Sequence, residues 1–317
     1  MAYDYFVSVR NISMGDFGSE PSTTRFLSIP EDAPKPLPEH AVRSRKDWVT
    51  EVKAASANEE APVRDGDILV YVHGYNNHPR DVLRRHRMLK RNLDEAGYRG
   101  AVVSFDWPSN NVALNYLEDR SDARKTAIKL VDDCIHLFVR QLQEECVINL
   151  HLLAHSTGAY VVREAFDDAD DRRNVASTNW SVSQVALIAA DISSKSMRED
   201  DSKSSSLYRH CVRLTNYQNP YDSVLKLSNI KRVGVAPRAG RIGLPEDTPR
   251  KAVNVNCGPY FAGLSEDSEV SGAWDHSWHF NDQLFIRDLA GTIRGNIDRE
   301  YLPTRRRDSQ LGLMLTA

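Results

Sequence analysis

From Asp67 onward the chain repeats one pattern, a short apolar run followed by a longer stretch of helical period. The runs are DILVYVHG, GAVVSFDW, CVINLHLLAHS, SQVALIAADIS, HCVRLTNY and KAVNVNC. Such short, nearly uninterrupted runs suit strands covered on both faces. After the first of them, Val82, His86, Leu89, Leu93 and Ala96 fall on one helical face between Pro79 and Gly97, which supply a start and a stop. Ala127, Leu130, Val131, Cys134 and Phe138 mark the inward stripe of a long helix starting near Ser121. Further helices are predicted over Thr157 to Phe166, near Tyr221 to Leu227, and from about Asn281 to Ile293. Parallel strands need long crossovers, so this alternation dictates an α/β fold with a mostly parallel sheet and helices on both faces.

The ends of the chain read differently. Residues 1–60 hold two strand-like pieces, Asp4 to Arg10 and Thr24 to Ile29, then the Pro-rich stretch PEDAPKPLPEH and a helix from Arg45 to Ala57, read as an added hairpin and a connecting segment. Residues 61–300 form the main domain and 301–317 a tail containing RRRDSQLGLMLTA, whose basic triplet at Arg305, Arg306 and Arg307 reads as a solvated surface feature and whose apolar end docks on the body or on a second subunit. Either extension offers a surface for a homo-oligomer. At 317 residues the chain can bury roughly three quarters of its unfolded surface without a metal or disulfide staple. Its net charge of −3 argues against a nucleic-acid partner. Cys134, Cys146, Cys211 and Cys257 show no CxxC or zinc spacing and are expected as reduced thiols. No run of about 18 apolar residues and no leader pattern occurs, so the expected location is cytoplasmic, without stable membrane association.

The most informative stretch is Ala154-His155-Ser156-Thr157-Gly158, at a predicted strand-to-helix junction. A serine on such a tight turn is held in strained geometry with its oxygen exposed, and small neighbours two residues away let the backbones pack. The Thr157 N–H at the helix start is a candidate oxyanion donor, aided by the helix dipole. The competing reading is an N-cap serine. Upstream, ILVYVHGYNN puts His73-Gly74-Tyr75-Asn76 after a strand, where the Tyr75 N–H supplies a second donor and His73 organises the loop.

A serine hydroxyl needs a base, and the base an orienting acid. In this class of sheet they follow in the order serine, acid, histidine. Asp222, in QNPYDSVLKLS after the later strand, is favoured over Asp191, which follows VALIAAD; for the base, AWDHSWHF offers His276 with His279 as the fallback. His86, His136 and His151 lie on helix or strand stripes and read as structural.

Together VHGYNN, SFDWPS, AHSTG, LIAADIS, NPYDSVLKLS and DHSWHF resemble the alpha/beta-hydrolase fold, and most closely a bacterial family of alpha/beta hydrolases of unknown function, over roughly Asp67 to Ile293. The resemblance implies a nucleophile at Ser156, an acid at Asp222, a base at His276 and an oxyanion hole near Tyr75 and Thr157. It also implies that Trp107-Pro108-Ser109, Tyr116 and Asp119 line a pocket beside His73, Gly74, Asn76 and His155. Ala154 stands where the commoner elbow has glycine. The segment between Asp191 and Tyr208 sits where many such enzymes insert a cap, but it is short and polar.

These readings converge on a cofactor-free, metal-free serine hydrolase acting through an acyl-enzyme. Soluble acyl esters are expected ahead of amides and emulsified lipids, with residues 108–118 shaping the acyl pocket. The alternatives are a non-catalytic binding protein on the same scaffold and an acyltransferase using the same three residues.

Overall fold

The computed structural model describes residues 3–57, 66–109, 125–143, 148–172, 180–230 and 237–317. In chain order the strands are β1 (Tyr3–Ser13), β2 (Asp16–Pro30), β3 (Gly66–Val72), β4 (Ala101–Asp106), β5 (Ile148–His155), β6 (Val182–Ile188), β7 (Cys211–Gln218), β8 (Ala252–Asn256), β9 (Arg305–Asp308) and β10 (Gly312–Leu315). The longer helices are α1 (Arg45–Ser56), α2 (Pro79–Glu95), α3 (residues 125–143, with a π turn at Val131–Ile135), α4 (Thr157–Asp171), α5 (Ser202–Arg209), α6 (Ser223–Ile230) and α7 (Gln283–Arg294).

The ten strands among the described residues form one sheet in the order β2-β1-β4-β3-β5-β6-β7-β8-β10-β9. The eight inner strands run parallel, and the antiparallel β2 and β9 close the two edges. This is the alpha/beta-hydrolase fold, with both faces covered. Alternation along β3 divides the core: Ile68, Val70 and Val72 join one cluster with Trp48 of α1, Phe138 of α3 and Phe166 of α4. Leu69 and Tyr71 face the other way, toward Leu89 and Leu93 of α2 and Phe285 and Leu289 of α7. Every position from Ile68 to Val72 is thereby buried, which is why this part of β3 reads as continuous apolar sequence.

The N-terminal hairpin is longer than the sequence suggests and is not set apart from the body. It turns at Met14 (φ 50°) and Gly15 (φ 83°), and β1 lies parallel to β4 with Tyr5 opposite Val103. Phe6 packs with Val82 and Leu83 on one side while Val7 joins the core on the other. A solvated ribbon buries one face, whereas this strand buries both.

The tail joins the sheet. β10 pairs parallel with β8, so the apolar end docks on the body. Within the basic triplet Arg306 and Arg307 are exposed, but Arg305 is buried in an ion pair with Asp288 at 2.6 Å. The short polar segment after Asp191 is the crossover between β6 and β7. Its α5 packs on α4, where the Ser206 hydroxyl donates to the Phe166 carbonyl and Lys203 pairs with Asp167 at 2.7 Å. Cys134, Cys211 and Cys257 are free and buried, and Cys146 lies outside the described residues. Among the described residues no helix is long and apolar enough to cross a membrane.

Candidate active site

Ser156 lies between β5 and α4 with φ 55° and ψ −124°, a region that L-residues seldom occupy. Three backbone bonds hold it there: its N–H donates to the Ile188 carbonyl at 3.0 Å, and its carbonyl accepts from Ala159 and Asp191, each at 3.1 Å. Gly158 is required by packing, because a Cβ there would lie 2.3 Å from the Val72 carbonyl oxygen and 2.6 Å from that of His73. Ala154, where glycine is commoner, fits fully buried in the core.

Ser156 makes no side-chain cap bond to α4, which removes the N-cap reading. Its hydroxyl lies 2.9 Å from His276 Nε2 instead. His276 Nδ1 donates to Asp222 Oδ2 at 2.7 Å, which leaves Nε2 as the acceptor for the serine proton. Asp222 is fully buried, and its other oxygen accepts from the Leu225 N–H at 2.8 Å, so the carboxylate both caps α6 and orients the imidazole.

The loops bearing these groups are tied together. Asn219 Nδ2 donates to the Asp275 carbonyl at 3.1 Å, and the Asp275 carboxylate accepts from the Ser223 N–H at 2.9 Å. His155 Nε2 donates to the His276 carbonyl at 3.0 Å. Burial, with the positive fields of His276 and Arg85 adding to it, pushes the His155 pKa well below the ordinary range, so its role here is that of a neutral donor.

The structure does not bring the fallback residues into this chain of bonds. Asp191 forms an ion pair with Arg238 Nε at 2.9 Å and accepts from the Ser228 hydroxyl at 3.0 Å, and its contribution to Ser156 is through the backbone. His279 is packed between Trp278 and Phe285, at ring separations of 4.3 and 4.9 Å. Burial, then the His276 charge, pushes its pKa well down.

The loop after β3 lies directly against the serine. A Cβ on Gly74 would stand 2.7 Å from Ser156 Cβ and 3.1 Å from the His155 carbonyl oxygen, so only glycine fits. The Gly74 carbonyl accepts from His73 Nδ1 and from Asn77 Nδ2, each at 2.8 Å. Asn76 is exposed and left-handed, φ 55°, a conformation that asparagine tolerates better than most residues. Thr157 opens α4, where the first-turn N–H groups have no intrahelical acceptor.

Trp107, expected to line a pocket, is instead buried behind this loop. Trp107 stacks on His73 at 5.5 Å, donates its indole N–H to the His73 carbonyl at 2.8 Å and its backbone N–H to His73 Nε2 at 3.1 Å. Tyr116 and Asp119 lie outside the described residues, as does the rest of the expected acyl-pocket stretch beyond Ser109.

Four polar residues to which the sequence reading assigns no role hold the same loop: Arg10, Asn77, Arg85 and Asp106. Asn77 is the hub. Its N–H donates to the Ser109 hydroxyl at 3.1 Å, its side-chain oxygen accepts from Arg85 at 2.8 Å, and its carbonyl accepts from Arg10 at 2.9 Å. The sequence signal for Arg10 and Asp106 is a charge at the end of an apolar run, in FVSVR and VVSFD. Among the described residues no group of three or more His, Cys, Asp or Glu side chains is arranged to hold a metal.

No curated protein matches the chain. Among solved structures, a protein described as a cell surface hydrolase from Lactobacillus plantarum WCFS1 is 13% identical, with a TM-score of 0.37 over 76% of this chain and 94% of that one. A cutinase-like protein from Cryptococcus sp. is 12% identical, with a TM-score of 0.35 over 76% of this chain and 97% of that one. A phospholipase from Legionella pneumophila is 12% identical, with a TM-score of 0.35 over 79% of this chain and 68% of that one. Residues 51–265, more than half of the chain, match the family model described as alpha/beta hydrolase of unknown function (DUF900), and the chain belongs to that family.

Proposed function

We propose that this alpha/beta hydrolase is a serine esterase that cleaves soluble carboxylic esters through an acyl-enzyme. The observation that carries the reading is the unbroken Ser156–His276–Asp222 chain, at 2.9 and 2.7 Å, on a serine whose backbone is held strained. In the reaction Ser156 Oγ attacks the ester carbonyl carbon while His276 Nε2 takes its proton, and Asp222 stabilises the imidazolium. The Tyr75 and Thr157 N–H groups receive the oxyanion. The tetrahedral intermediate collapses, the alcohol leaves with the proton from His276, and water attacks the acyl-serine by the same route to release the acid. Soluble acyl groups are favoured because the segment after Asp191, ISSKSMREDDSKSSSL, offers no apolar lid for an emulsified lipid.

A fluorophosphonate probe, mapped by mass spectrometry, tests the reading together with hydrolysis of p-nitrophenyl esters of graded chain length. Labelling on the Ser156 peptide and a preference for short acyl chains are expected. Well-folded protein that takes no label would overturn the esterase in favour of a binding protein, and strong activation on lipid droplets would overturn the substrate class.

The two acids are separable by mutation. Asp222→Asn is expected to lower kcat by about 10⁴-fold, since the imidazole loses the partner that fixes its tautomer. Asp191→Asn is expected to stay within about tenfold of wild type, because it leaves that tautomer alone. Equal losses in p-nitrophenyl ester turnover would contradict the assignment of Asp222.

Gly74→Ala gives a third check. The added methyl must displace either the nucleophile's own Cβ or the loop, and a displacement approaching 1 Å costs about 100-fold in turnover. Burst kinetics with p-nitrophenyl acetate would show the loss in the acylation step.

A further inference from the structure

We propose that the N-terminal hairpin is a working part of the oxyanion hole, with Arg10 acting through Asp106, His73 and Asn77 as the positioning residue for the loop that presents the Tyr75 N–H. The proposal rests on the esterase reading above and adds to it a residue far from the nucleophile in sequence.

The loop geometry sets the requirement. In a trans peptide the carbonyl and the following N–H point in opposite directions, so whatever fixes the Gly74 carbonyl fixes the Tyr75 N–H. That carbonyl is held by His73 Nδ1 and Asn77 Nδ2. Each donor is set in turn by something further back.

His73 donates from Nδ1 as a neutral ring only while Nε2 is an acceptor, and there it receives the Trp107 N–H. Asp106 Oδ1 lies 3.3 Å from the same Nε2. An uncompensated carboxylate in that buried position would draw a proton onto Nε2 and turn it away from the Trp107 N–H. Arg10 Nε donates to that oxygen at 2.8 Å, and the Ser8 hydroxyl donates to Oδ2 at 2.9 Å. The guanidinium therefore supplies the counter-charge that lets His73 remain neutral, and burial favours the same form.

Asn77 is fixed from the same side chain. Arg10 Nη2 donates to the Asn77 carbonyl at 2.9 Å, while Arg85 holds the Asn77 side-chain oxygen and so aims Nδ2 at Gly74. One guanidinium thus grips both ends of the loop, directly at Asn77 and through Asp106 at His73.

The hairpin backbone is shaped to deliver it. The β1–β2 register shifts between Ser8 and Arg10 and again between Arg10 and Ile12. The pairing of β1 with β4 ends at Ser8 opposite Asp106, two residues before Arg10. Bulges of this kind re-aim a side chain, and here the re-aimed one is 3% exposed under the loop.

Two variants test the role in the full chain. Arg10→Lys keeps a charge for Asp106 but loses the two-ended grip; the double variant Arg10→Met with Asp106→Asn removes the pair together and leaves no orphaned buried charge. Turnover of p-nitrophenyl butyrate is read beside the Ki of a trifluoromethyl ketone of matching chain length, which forms a tetrahedral oxyanion on the serine. In folded variants kcat is expected to fall about 100-fold with KM within about threefold, and the ketone Ki to rise by the same factor as kcat falls. The acidic limb of the pH profile should not move, since His276 and Asp222 are untouched.

Unchanged kcat and Ki in folded variants would reduce the hairpin to scaffold. So would a rise in KM alone, or a loss that follows the unfolded fraction. A wild type inert to both ester and fluorophosphonate sinks the esterase reading itself, whereas an active wild type with indifferent variants sinks the hairpin role alone.

Discussion

Ser156→Ala is expected to lower ester turnover by about 10⁴- to 10⁶-fold and to abolish fluorophosphonate labelling, with the fold intact. The stability of the variant follows from the bonds the serine makes. Its backbone contacts to Ile188, Ala159 and Asp191 survive the change, and it caps nothing through its side chain. The bond lost is the one to His276 Nε2. Because nucleophile and base act as one unit, His276→Ala is expected to cost about as much, and the double variant no more than either. Additive losses would mean that the two residues serve separate steps, and label persisting in Ser156→Ala would point to another serine.

The second large effect concerns stability. Arg305→Met is expected to destabilise the protein by about 3–5 kcal/mol, read as a lower urea midpoint at constant m. The Arg305 side chain is fully buried; Nε and Nη2 donate to the two oxygens of Asp288 at 2.8 and 2.6 Å, and Nη2 also reaches the Tyr217 hydroxyl at 3.0 Å. Asp288 also accepts from Thr304 at 2.6 Å and from Tyr217 at 2.7 Å. Removing the cation strands a carboxylate between β7 and α7. Changing Asp288→Leu in the same chain is expected to restore part of the loss, because the charge that Arg305 neutralised is gone as well. A change below about 1 kcal/mol for Arg305→Met would return the triplet to the status of surface charge.

Sheet, helices and the Ser156 turn are legible because each rests on local sequence: apolar runs, helical stripes, small residues beside the serine. The acid and base are legible through chain order, although 54 residues separate Asp222 from His276 and 120 separate His276 from Ser156. Order along the chain says which strand end a loop leaves, and all such ends lie along one rim of a parallel sheet.

What escapes the sequence is long-range pairing of single charges. Arg10 and Asp106 meet across 96 residues, and each by itself looks like the polar end of a strand. Arg305 sits in a triplet whose other two members are exposed, and since period-two geometry puts Arg305 and Arg307 on one face, the pattern does not single out Arg305 as the buried one. Trp107 misleads for a related reason: a tryptophan after a strand end that faces the site suggests a pocket wall, but its N–H groups are spent on His73.

Four non-glycine residues in the described chain have positive φ: Met14, Asn76, Ser156 and Ala189. Met14 sits in an exposed hairpin turn, where such a backbone is ordinary, but the other three belong to the loop beside the nucleophile, the nucleophile itself and the residue after its hydrogen-bond acceptor. Each costs on the order of 1 kcal/mol or more that a glycine would not. Selection for stability alone would replace them over time. Ser156→Gly is accordingly a downhill step in folding free energy, and lineages of this family that abandon the chemistry should drift to glycine at these positions before the core changes.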